Sequence, residues 1–137
     1  MDKFKEDFYV DTYNEALKLE KPTGDEMSKL TAHLATLQIT EGNLFERLRN
    51  HCNHSKPIEQ LDKQVGLQDA LIKLKLNEQT EVIVIWRFPG DIDKFELSYL
   101  LIHWEDVWYP ASDEAVCLFF PLTDQLILIT DYGMIYY

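Results

Sequence analysis

The sequence predicts an α+β fold, in which N-terminal helices are followed by an antiparallel sheet of three to four strands with one inserted helix. Apolar residues recur at helical intervals of three and four up to about residue 76. From residue 81 onward, β-branched and aromatic runs alternate with turn residues, which is typical of strands in hairpin order. The length of 137 residues and the hydrophobic content of 46% fit one domain over residues 1–137.

The first two predicted elements are helices. Residues 3–19 place apolar and charged side chains on opposite sides at helical spacing, which is typical of an amphipathic helix. Its apolar residues are Phe4, Phe8, Ala16 and Leu17. Proline and glycine in the segment 21–24 end this helix. A second helix is predicted from the acidic start at residue 25, with an apolar face of Met27, Leu30, Leu34 and Leu37.

Helical patterns continue to about residue 76. A third helix is predicted over 41–52, with Thr40 as its N-cap. Its apolar face consists of Leu44, Phe45 and Leu48. A short helical pattern follows at 58–66. The segment 67–76 fits both a helix and a strand that opens a hairpin through 77–80, and we favour the helix.

Three apolar runs predict buried strands in the second half of the chain. They cover residues 81–88, 115–120 and 125–130. The segment 121–124 is a tight-turn signal between the last two runs, and 131–133 turns the chain into 134–137. Helical spacing predicts an inserted helix over 91–108, which buries Phe95, Tyr99 and Ile102.

The net charge of −11 is unevenly distributed along the chain. Residues 1–76 have a net charge of −2, whereas residues 77–137 contain 2 basic and 11 acidic side chains and have a net charge of −9. A negative field repels nucleic-acid phosphates and anionic lipids, and it speeds encounter with cationic molecules. We therefore expect a basic protein partner, and neither nucleic acid nor a membrane.

The start of the chain and its cysteines indicate a cellular location. The sequence MDKFKEDFYV carries acids and lacks the apolar region of a secretory signal, and no stretch reaches the roughly 20 apolar residues that span a bilayer. Two cysteines, Cys52 and Cys117, do not indicate a disulfide framework. We therefore expect a cytoplasmic protein with reduced thiols, either a monomer or a homodimer formed through the C-terminal strand.

Metal, cofactor and nucleophile sites are not predicted. His51 and His54 can share one side of a helix, but a structural zinc site needs about four ligands and the sequence contains no second Cys/His cluster. Cys52 adjoins His51, but adjacent helix residues point apart, so they do not form a nucleophile and base pair. The nucleotide-binding glycine motifs and the G-x-S-x-G motif are also absent.

The segment HWEDVWYPASDE at 103–114 combines two tryptophans and a tyrosine with four carboxylates and contains no lysine or arginine. The hypothesis we favour is a non-enzymatic binding surface, in which aromatic side chains supply contact area and acids steer a cationic partner. The predicted contact residues are Trp104, Glu105, Asp106, Trp108, Tyr109, Asp113 and Glu114.

Two alternatives remain open for this segment. Its paired carboxylates near Trp104 and Trp108 are compatible with a small hydrolase of glycosidase-like acid–base chemistry, which requires at least one carboxyl with a raised pKa in a cleft. The segment is also compatible with an ordinary helix end and turn whose acids are solvated.

The same part of the chain resembles a known class of proteins. The matching residues are Trp104, Asp106, Trp108, Tyr109, Pro110, Ser112 and Asp113, followed by two hydrophobic strands to the C-terminus. This pattern resembles the small acidic immunity proteins of bacterial polymorphic or contact-dependent toxin systems. The resemblance implies an inhibitor that binds a cognate, often basic, toxin domain and occludes its active site.

Overall fold

The computed structural model describes residues 1–57, 63–77, 80–107 and 115–137 of the chain. These residues form α1 (Lys3–Tyr13), α2 (Gly24–Thr36), α3 (Leu44–His51), β1 (Ser55–Pro57), α4 (Lys63–Lys73), β2 (Glu81–Arg87), β3 (Asp91–Glu96), α5 (Leu97–Ile102), α6 (Trp104–Val107), β4 (Val116–Phe120), β5 (Gln125–Ile129) and β6 (Met134–Tyr136). The predicted α+β class is confirmed, with six strands in the sheet where three to four were expected.

All six strands form one antiparallel sheet in the order β1-β6-β5-β4-β2-β3. The turn at 121–124 joins β4 to β5, as the sequence predicts. The next turn contains Gly133 at a φ of 77°, in the left-handed region that favours glycine. β2 and β4 are neighbours in the sheet although α5 and α6 lie between them in the chain, so these two helices cross one face of the sheet.

Helices cover both faces of the sheet. Val82 and Val84 of β2 belong to one hydrophobic core, whereas Ile83 and Ile85 belong to the other, because successive strand residues point to opposite sides. Residues of α4, α5 and α6 complete the first core, and residues of α2 and α3 complete the second. β4 is buried at all its positions, as expected of a strand covered on both faces.

The predicted helices in the first half of the chain are confirmed for α2, α3 and α4. α2 begins with a capping box in which Thr23 and Glu26 each accept a backbone N–H bond from the other. Thr40 is not the N-cap of α3, because Asn43 occupies that position and accepts the Thr40 N–H at 2.7 Å. The predicted boundary near Gly66 is wrong, because α4 runs through this residue and includes the ambiguous segment as far as Lys73. The residues just before this helix lie outside the described part.

The predicted helix over 91–108 begins too early. Residues 91–96 form strand β3, which lies antiparallel to β2. The turn after β2 reverses the chain direction, so that β3 pairs with β2 and Phe95 lies opposite Val82. Both side chains are buried there. Helical structure begins only at α5, and Ile102, which was expected to be buried, is 71% exposed.

α1 faces the domain with its polar side, unlike most amphipathic helices of globular proteins. Its buried side chains are Lys5 and Tyr9, whereas Phe4 and Phe8 are 70% and 58% exposed. The helix is also shorter than predicted, because Asn14 adopts a left-handed conformation at its C-terminus. The apolar side of this helix is therefore in solvent, and a mixed polar side packs against the domain.

Asp93 on β3 carries a fully buried carboxylate. The α-ammonium group of Met1 forms an ion pair with it, and Lys21 Nζ lies 2.5 Å from its second oxygen. Trp86 Nε1 donates a hydrogen bond to the same carboxylate at 2.9 Å, and Lys5 Nζ lies 5.1 Å from the centre of the Trp86 ring. These contacts hold the start of α1, and the segment after it, against the sheet.

The charges around Asp93 determine its protonation. Burial alone would raise the pKa of this carboxyl, but hydrogen bonds and charges from Lys21 and the Met1 ammonium group outweigh burial and lower the pKa. The unfolded chain therefore binds a proton at Asp93 more readily than the folded chain does. The resulting stabilisation is complete above the ordinary carboxyl pKa of about 3.9 and is lost as the pH falls through the lowered pKa.

We predict that Asp93→Asn lowers the free energy of unfolding by about 3–5 kcal/mol at neutral pH, because it leaves the buried Met1 ammonium group without a carboxylate. Urea unfolding measures this change. Asp7→Asn is the control, since the Asp7–Lys3 pair is exposed and screened by solvent, so its loss should change the free energy of unfolding far less. Equal losses in the two variants would contradict a buried ion pair at Asp93.

Candidate functional site

The predicted contact residues of the segment 103–114 do not share one environment. Trp104 is fully buried in the first core, because α6 follows α5 directly and turns this side chain toward the sheet. It supports the fold and is not available as a surface contact, which corrects its predicted role. Glu105 is exposed and Asp106 is half-buried on α6. The remaining contact residues, which lie outside the described part, are Trp108, Tyr109, Asp113 and Glu114.

Asp106 belongs to a polar cluster that joins α1 to the helices of the first face. Its carboxylate accepts a hydrogen bond from Tyr13 Oη at 3.0 Å and lies 3.2 Å from His103 Nδ1. Tyr9 Oη lies 3.3 Å from the same nitrogen and 3.1 Å from Tyr99 Oη. We call these five residues the Tyr–His–Asp cluster.

Helical spacing brings the members of the cluster together. Tyr9 and Tyr13 are four residues apart on α1, Tyr99 and His103 are four apart at the end of α5, and Asp106 follows three residues later. The ring centres of Tyr9, Tyr13 and Tyr99 lie 5.3, 6.0 and 4.5 Å from that of His103. These separations are typical of aromatic contacts, so the cluster packs its rings as well as pairing its polar atoms.

The protonation of the cluster favours a structural role. Burial, together with the hydrogen bond to Tyr99, raises the pKa of Tyr9 far above its ordinary value. The hydrogen bond to Asp106 raises the pKa of Tyr13. Both phenols therefore stay protonated, and a protonated phenol is a weak nucleophile. The hydrogen bonds of the cluster connect α1 to α6.

A cleft of about 630 Å³ lies beside the cluster and shares Tyr99 with it. Lys18 Nζ lies 5.6 Å from the centre of the Tyr99 ring at the edge of this cleft. Lys94 Nζ lies 3.3–3.5 Å from carboxylate oxygens of Glu20, Glu26 and Glu81. Neither Glu105 nor Asp106 lines this cleft, so the acids of α6 are not arranged around it as catalytic groups would be.

His51, His54 and Cys52 lie at or just after the C-terminal end of α3. His51 is the last residue of α3. His54 exchanges backbone hydrogen bonds with Tyr137, and the ring centres of His54 and Tyr137 lie 5.4 Å apart. Burial raises the pKa of the Cys52 thiol to about 11, and it raises that of Cys117 as well. Within the described ranges, no group of three or more His, Cys, Asp or Glu side chains is arranged to hold a metal ion.

None of the helices in the described parts of the chain has both the length and the apolar character needed to cross a membrane. Comparison of the chain with protein-family models, with curated proteins and with solved structures found no match.

We predict that Tyr9→Phe lowers the free energy of unfolding by about 1–2 kcal/mol at neutral pH, because Tyr99 and His103 lose a buried hydrogen-bonding partner. Above a pH of about 10, the unfolded chain releases the Tyr9 proton while the folded chain retains it, so stability falls as the pH rises. The variant lacks this contribution and should lose less stability in alkali. Urea unfolding at neutral and alkaline pH measures both effects, and identical curves for the two proteins would contradict the prediction.

Proposed function

We propose that this protein is a non-enzymatic, acidic protein-binding domain whose partner is a basic protein. The observation that carries the proposal is the hydrogen bond from Tyr13 to Asp106, because it places α1 beside α6. The acids of both helices therefore lie on neighbouring elements of the fold. These acids are Glu6, Asp7, Asp11, Glu105 and Asp106, which we call the acidic side.

Charge on the acidic side favours fast and selective association. A surface of one sign raises the rate of encounter with a partner of the opposite sign, and the effect weakens as salt is added. It also disfavours partners of like charge, including nucleic acids. Residues 77–137 supply a net charge of −9 to this field, and α6 lies in that part of the chain.

The proposed biological role is that of an immunity-type inhibitor, in which the domain covers the active site of a basic toxin. This role depends on the resemblance of the region from Trp104 to Asp113 to small acidic immunity proteins. Its proposed setting is the cytoplasm, where thiols such as Cys52 and Cys117 stay reduced. The domain would act as a monomer or homodimer.

The partner is identified by capture from a lysate of the source organism on the protein carrying a C-terminal tag, with washes at low and at high salt. We expect a basic protein that is retained at low salt and released at high salt. Co-expression of that protein with and without the domain tests inhibition, since a toxin should stop growth only when expressed alone. A retained partner that is acidic, or whose binding does not change with salt, would contradict the proposal.

We predict that Glu105→Lys slows association with the captured partner about tenfold at low salt and makes the rate less dependent on ionic strength. The control is Glu41→Lys, which makes the same charge change between α2 and α3, on the opposite face of the sheet. Association kinetics of both variants over a range of salt concentrations measure the effect. Equal slowing by the two variants would mean that net charge alone, and not the acidic side, governs encounter.

A further inference from the structure

α1 exposes an unusual amount of apolar surface. Eight large hydrophobic side chains are exposed in the described part of the chain, and four of them are on this helix. They are Phe4, Phe8, Val10 and Tyr13. Phe4 and Phe8 are one helical turn apart, so they lie next to each other on one side. A clustered pair of exposed phenylalanines is a feature of binding surfaces more than of ordinary solvated helices.

The orientation of α1 is fixed by contacts on its other side. Tyr9 is bound to Tyr99 and His103, and Lys5 lies against the ring of Trp86. Rotating the helix to bury the phenylalanines would break these contacts and expose Tyr9. The exposure of Phe4 and Phe8 therefore follows from the contacts that hold the helix. Only contact with another molecule would remove these two side chains from water.

Acidic residues share the exposed side with the phenylalanines. Asp7 and Asp11 are both exposed, and each lies three residues after one of the phenylalanines, Phe4 and Phe8 respectively. The exposed Lys3 forms an ion pair with Asp7 at 2.8 Å, so Asp11 contributes most of the negative charge on this side. A second copy of the chain would bring the same acids face to face across a two-fold axis, in a protein with a net charge of −11. A surface that combines apolar and cationic groups complements this side of the helix instead.

We infer that the face of α1 formed by Phe4, Asp7, Phe8 and Asp11 docks on an apolar strip flanked by Lys or Arg side chains of the basic partner. This inference rests on the proposed function, and it adds where the partner makes its apolar contact. The acids steer the encounter, and the two phenylalanines supply desolvated contact area that slows dissociation.

Two synthetic peptides of about 15 residues test the inference without the natural partner. One peptide forms an amphipathic helix of leucine and lysine, and the other replaces each leucine with serine at the same charge. Each peptide is titrated into the isotope-labelled full chain at constant salt, and backbone NMR shifts report affinity and location. We expect the leucine peptide to bind at least tenfold more tightly than the serine peptide and to shift α1 signals.

The variant with Phe4→Ser and Phe8→Ser should bind the leucine peptide about tenfold more weakly, while its affinity for the serine peptide stays the same. Ile72→Ser and Leu122→Ser are matched controls, since these side chains are 73% and 79% exposed outside α1 and should have no effect. Unchanged circular dichroism checks that each variant folds. Phe4→Leu with Phe8→Leu keeps the apolar character and should retain most of the affinity.

The outcomes separate the two proposals. Equal affinity for both peptides, with no effect of the phenylalanine substitutions, would overturn the inference and leave an acidic binding function standing. Binding of the leucine peptide away from α1 would also overturn it. Failure of both peptides to bind at low salt would contradict the proposed function as well, because a basic ligand should then be attracted to the acidic side.

Discussion

The buried carboxylate of Asp93 is the constraint on which the position of α1 depends. A carboxylate without exposure to water must be paired, and it is satisfied by the Met1 ammonium group, by Lys21 and by the indole of Trp86. Two of these groups flank α1 in the chain, so pairing them on β3 fixes both the start of the helix and the segment that follows. With Lys5 against Trp86, the phenylalanines of α1 are left on the outer side.

The Tyr–His–Asp cluster fixes the other end of the same helix. Asp106 is a member of this cluster and also one of the acids for which we propose a contact role, so its observed role is structural and its proposed role is electrostatic. Polar contacts at both ends of α1 therefore hold it beside α6 without using its most apolar residues. The protein-binding surface that we propose is therefore a helix whose sequence is typical of a core element.

Sequence patterns predicted the parts of the fold that burial alone decides. β4 and β5 were recognised as apolar runs, and α2 was expected from its periodicity, whereas its N-cap at Thr23 was not identified. β3 was missed because Asp93 and Lys94 are polar residues whose burial depends on ion pairs with distant parts of the chain. Neither the hydrophobic periodicity nor the strand propensity of the segment indicates such pairs. In the site, Asp106 was identified from local charge. Its partner Tyr13 was not, because they meet across 93 positions of the chain.

α1 presents Phe4 and Phe8 to solvent and Tyr9 to the domain. Hydroxyl-radical footprinting with mass spectrometry measures this directly on the intact chain, because side-chain oxidation depends on solvent access. The structure predicts fast oxidation of Phe4 and Phe8, with Tyr9 and Trp104 protected until the chain is unfolded. Protection of Phe4 and Phe8 together with fast oxidation of Tyr9 would mean that the helix is turned as its sequence alone suggests, and would contradict the account.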